Sequence, residues 1–137
     1  MHITSRFSLA PIRHKSGRAA THSFLLEDGK PTQAKLIGTH LIRQFDCDAG
    51  FMLVTDYNRP RDEVTTFSLV RRDFRVASSR KFGGPLSSWL LSEVRWIDAR
   101  HFRVRFHGSE ILLFRIRDWG LPWVLPRLTV ERKHKRS

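Results

Sequence analysis

Five arginines, Arg95, Arg103, Arg105, Arg115 and Arg117, alternate with apolar residues near the C-terminal end of the chain. In residues 101–107, Phe102, Val104 and Phe106 alternate with His101, Arg103, Arg105 and His107; after a short turn, Leu112, Phe114 and Ile116 alternate with Leu113, Arg115 and Arg117. A guanidinium donates paired hydrogen bonds to phosphate or carboxylate and stacks on bases. Like charges facing one another across strands are mildly destabilising. A face built this way is therefore either balanced by carboxylates from elsewhere in the fold, such as Asp62, Glu63 or Glu131, or presented to an anion. The five arginines are the candidate nucleic-acid-binding residues, with RNA ahead of DNA as the expected ligand and an acidic protein as the other anion that would fit.

Other chemistry is more weakly written. Glu93, His101 or His107, and Arg105 have the residue types of a metal-independent ribonuclease: general base, general acid and phosphate stabiliser. No loop signature accompanies them, and the expectation is a protein that is not an enzyme. Asp46, Cys47 and Asp48 cluster possible metal ligands, but adjacent turn positions rarely converge on one ion, and no CxxC or paired-His spacing supports them. No metal or cofactor is expected. Cys47 has no local base and reads as a passive thiol, and His40 sits in an apolar strand pattern. Walker A, GxGxxG, GxSxG and HExxH patterns are all absent. Gly83-Gly84-Pro85 reads as a break in the chain rather than a phosphate loop.

Composition sets the frame. The 137 residues carry 25 Lys and Arg, made up of 19 arginines and six lysines, against 13 Asp and Glu, for a net charge of +12. Such a charge attracts polyanions and bears on partners rather than on fold. The hydrophobic fraction of 40%, with ten Phe and four Trp, supports a packed core and argues against disorder. A single cysteine excludes a disulfide framework within the chain and suggests a reducing, cytoplasmic setting. No apolar run approaches the roughly 20 residues that span a bilayer, and the N-terminus lacks a signal-peptide core. Residues 1–26 contain no acidic residue but do contain Arg6, Arg13, Lys15 and Arg18.

The elements that must position the arginines read as short strands. Turn signals recur every ten or so residues, the signature of an all-β sandwich or barrel: Asp28-Gly29-Lys30-Pro31, Asp46 to Gly50, Asn58 to Asp62, Arg71 to Phe74, and Gly83 to Pro85. Only Ser87–Trp96 also fits about two helical turns. Three-residue loops at Asp98–Arg100 and Gly108–Glu110 would set the last hairpins in register. Trp96 then opposes Phe102, Val94 opposes Val104, Val104 opposes Phe114, and Phe106 opposes Leu112. On the other face Arg95 opposes Arg103, Glu93 opposes Arg105, and Arg103 opposes Arg115, leaving Glu93 the only strand carboxylate among five arginines. Trp119, Leu121, Trp123 and Leu125, interrupted by Pro122, would cap a barrel end or seal an interface.

The expected fold is all-β: an antiparallel up-and-down meander of about seven or eight strands forming a small barrel or strongly bent sheet, of the size of Sm, SH3 or OB barrels. A basic N-terminal arm (1–21), one domain (22–130) and a basic C-terminal tail (131–137) complete the expected organisation. The expected function is non-enzymatic binding of nucleic acid or another polyanion by the arginine face. The alternative is a protein-interaction or oligomerisation module, of the kind found in inhibitor and immunity proteins. Unpaired strand edges offer a route to homo-oligomers.

Overall fold

Alternating and β-branched segments separated by Gly, Pro and Asp turns can satisfy their backbone only by pairing with one another, and they do so throughout. The computed structural model describes residues 1–59, 62–85, 89–107, 110–118 and 127–133, and among these residues there are strands but no helix. No helix among them is long and apolar enough to cross a membrane. Twelve strands are described, in three antiparallel sheets.

The central sheet has the order β1 (His2–Ile3), β5 (His40–Cys47), β6 (Gly50–Asp56), β7 (Asp62–Val70), β8 (Val76–Pro85). The second runs β12 (Leu128–Lys133), β11 (Ile111–Ile116), β10 (His101–Phe106), β9 (Leu91–Trp96). The third comprises β2 (Phe7–Pro11), β3 (His22–Glu27) and β4 (Lys30–Ile37). Consecutive strands are neighbours within each sheet, except that β1 joins the central sheet beside β5, with β2, β3 and β4 between them in the chain. β1 and β2 lie inside the basic N-terminal stretch, and β12 extends across residue 130 into the basic tail.

The expected single meander of about seven or eight strands, curled into a barrel, is corrected to three sheets. Among the described residues no sheet closes on itself, and each keeps two edge strands. The physical reason lies in β6 and β7. Phe51, Met52, Leu53 and Val54 are all buried, a continuous apolar run of the kind found where both faces of a strand are covered. Met52, Val54, Phe67 and Leu69 pack with Phe102, Val104, Phe106, Leu112, Phe114 and Ile116 of the second sheet. Phe51, Leu53 and Val70 pack instead with Phe7, Leu25, Ala34 and Leu36, largely from the third sheet. A single barrel has one interior, whereas β6 and β7 contribute to two cores, one on each face, so the central sheet is sandwiched between the other two.

The first core is aromatic. Phe114 stacks on Phe102, with centroids 4.7 Å apart and planes 8° from parallel, and meets Phe67 of the central sheet at 4.6 Å. Trp96 packs on Phe102 at 4.7 Å and edge-on to Phe45 at 5.6 Å. Such contacts add about 0.5–1.5 kcal/mol each beyond area burial.

Two local readings also change. Gly83-Gly84-Pro85 does not break the chain but continues β8. Gly83, at φ 106°, lets β8 approach β7 so closely that a Cβ there would lie 2.2 Å from the carbonyl oxygen of Glu63. Within the stretch that also fitted a helix, Leu91–Trp96 is extended as β9.

Candidate nucleic-acid interface

The core beneath β9, β10 and β11 decides where the arginines point. Phe102, Val104, Phe106, Leu112, Phe114 and Ile116 are buried, and Val94 and Trp96 pack against them. The period of two then places residues 93, 95, 101, 103, 105, 113, 115 and 117 on the opposite face.

The β9–β10 register is the expected one: Phe102 opposes Trp96, Arg103 opposes Arg95, Val104 opposes Val94 and Arg105 opposes Glu93. The β10–β11 register differs by two residues. Phe102 opposes Phe114, Arg103 opposes Leu113, and His101 opposes Arg115. The N–H of Phe106 donates to the carbonyl of Glu110 at 3.0 Å, so the connection is centred one residue earlier than expected. An even shift keeps every side chain on its face, but it replaces the expected Arg103–Arg115 opposition by Arg103 facing Leu113. β12 adds a second carboxylate to this face, because Thr129 opposes Arg115 and Glu131 opposes Leu113.

The five arginines are not equivalent. The Nη2 of Arg105 lies 3.0 Å from Oε2 of Glu93, an exposed ion pair. Arg95, Arg103, Arg115 and Arg117 have no carboxylate partner among the described residues. The Nε of Arg117 is buried without an acceptor; its backbone N–H donates to the carbonyl of Arg127, and its carbonyl accepts from the side-chain Nε of Arg127. Asp98 and Asp118 stand at the turn end of the same sheet. Asp98 holds the Nδ1 of His101 at 2.8 Å, and Asp118 pairs with Arg100. The Arg100 amide, with His101 as a further donor, holds the Asp98 carboxyl below its ordinary range, and the Arg100 guanidinium does the same for Asp118.

An open pocket of about 320 Å³ at the β9 edge is lined by Arg95, Trp96, Ile97 and Arg103. Ile97 is 61% exposed, and the Nε1 of Trp96 is buried with no acceptor. Glu63, which could have balanced the arginines, lines a separate pocket with Asp56, Asn58, Arg59 and Trp89.

The residue types weighed for a ribonuclease are spread along β9 and β10. Glu93 is engaged by Arg105, and His101 sits four residues along β10 from Arg105, roughly 14 Å away by strand rise. His107 lies beyond the bulge at Arg105/Phe106, its N–H bonded to the carbonyl of Leu90. Trp119, Leu121, Trp123 and Leu125 lie outside the described residues.

Sequence reading missed a second arginine group. Arg6 and Arg72 grip Asp46 at 2.7 and 2.9 Å, and their guanidinium carbons lie 5.0 and 5.2 Å from the centroid of the Phe51 ring. The Arg72 hydrogen bond holds the Asp46 carboxyl below the usual carboxylate range. Burial pushes the neighbouring Cys47 thiol up from its ordinary value. This turn, where metal ligands were weighed, is thus an ion-paired hairpin. Its partners are 40 and 26 residues away in sequence, beyond the reach of any local pattern. No protein-family model, no curated protein and no solved structure matches this chain.

Proposed function

We propose that the chain is a non-enzymatic binding protein whose second sheet presents its arginine face to nucleic acid, with RNA as the favoured ligand. One observation carries the reading: Arg95, Arg103, Arg115 and Arg117 share a sheet face without carboxylate partners among the described residues. Holding four cations together unpaired disfavours the isolated protein, and phosphates would relieve that repulsion while releasing counterions. At the β9 edge Arg95 and Arg103 line an open pocket together with Trp96 and the exposed Ile97, and a guanidinium plane can stack on a base as well as pair with phosphate.

A second reading follows from Ile97, which is exposed beside Arg95 at an unpaired strand edge: an acidic protein could pair its own strand with β9. Fluorescence anisotropy with a labelled RNA separates the two. Binding that persists near roughly 150 mM salt supports the nucleic-acid reading. Its absence there overturns that reading and leaves an acidic protein as the partner.

A further inference from the structure

The pairing registers convert the arginine face into a map. Arg95 and Arg103 are direct cross-strand neighbours. Arg115 lies one strand further on and one register step along, opposite His101, and Arg117 follows on the same side of β11. With strands about 4.8 Å apart and a rise of about 3.4 Å per residue, the four form one diagonal row roughly 17 Å long. Carboxylates stand on both margins. Glu131 lies two strands from Arg103, roughly 10 Å across the sheet, and Glu93 lies beside Arg95 on β9. On the other margin Asp98 is held by His101 and Asp118 by Arg100.

We infer, on the basis of the proposed nucleic-acid binding, that this row is a track for one phosphodiester backbone, so that the ligand is single-stranded. A duplex carries two backbones, one on either side of each groove. A second backbone beside this row meets Glu131 instead of a cation. The pocket at the β9 end points the same way. Arg95 and Arg103 line it with Trp96 and Ile97, and a guanidinium plane there can stack on an unpaired base, which a duplex keeps inside. Arg105 lies outside the row and is held by Glu93, so it contributes little.

The test measures affinity against salt for single-stranded RNA and for the duplex of the same sequence, using the full chain. Four phosphate contacts give a log–log slope of about −3 for the single strand, falling by about 0.7 for each of Arg103→Gln and Arg115→Gln and unchanged in Arg105→Gln. Thermal melts confirm that each variant is folded. Tighter binding of the single strand with this pattern of slopes supports the track. Equal or tighter duplex binding, or an Arg105→Gln loss equal to that of Arg115→Gln, overturns the track while leaving nucleic-acid binding in place. No binding to either ligand overturns both.

Discussion

Arg6 and Arg72 differ from Arg103 and Arg115 in surroundings, not in kind. The first pair meets Asp46 at hydrogen-bond distance and rests on the Phe51 ring. The second pair stands on a sheet face whose neighbours are arginine, histidine, leucine and threonine. Where a carboxylate and an aromatic face are within reach, arginine joins sheets together. Where no carboxylate is, the guanidinium keeps its hydrogen-bonding capacity for something outside the molecule. Net charge alone does not draw this distinction, because both groups contribute equally to it.

The largest effect that could break the comparison comes from one step along β10. Val104 is fully buried, and Val104→Asp should cost more than about 3 kcal/mol by burying an unpaired charge, abolishing the cooperative thermal melt. A folded Val104→Asp protein would mean that the face assignment is inverted. Next in size, Arg103→Glu combined with Arg115→Glu should abolish polyanion binding in anisotropy while circular dichroism and the melt remain those of the wild type. Unfolding of that variant would make these arginines structural and erase the contrast.

Arg6→Ala with Arg72→Ala should show the reverse: a loss of roughly 1–2 kcal/mol in urea unfolding, the scale of half-exposed ion pairs with cation–π contacts, and retained RNA binding. Loss of binding comparable to that of the Arg103/Arg115 variant would put both groups in one site. The smallest effect concerns pH. The folded Asp46 carboxyl lies below its unfolded value, so its contribution is complete above the unfolded range near 3.9 and is lost as pH falls through the depressed folded value. The stability gap between wild type and Asp46→Asn should therefore shrink in urea titrations below about pH 4. A gap that stays constant into acid would assign the effect to packing rather than charge.

The β9–β10 pairing was legible because alternation and a short polar turn together admit few registers. The β10–β11 pairing differs by two residues because the position of the turn, not alternation, sets it, and Glu110, expected in the loop, pairs by backbone with Phe106. The faces survived the error because the side-chain period is also two. Which further carboxylate reaches the arginine face is not legible in the sequence: Asp62, Glu63 and Glu131 are all candidates, and it is the pairing of Glu131 with Leu113 that brings that one there. The split among the five arginines was legible only for Arg105, whose partner Glu93 followed from the correct register.

By itself the sequence determined that the chain folds as strands, which side chains of β9, β10 and β11 share a face, and that one of those faces is cationic. These are consequences of local periodicity, which the backbone enforces residue by residue. Tertiary structure decided that there are three sheets rather than one barrel, that β6 is covered on both faces, and which arginines are neutralised. Those outcomes depend on contacts between residues tens of positions apart, such as Arg6 with Asp46 and Phe67 with Phe114. Burial and charge pairing at that range reward whichever arrangement covers the most apolar surface, and local alternation does not specify that arrangement.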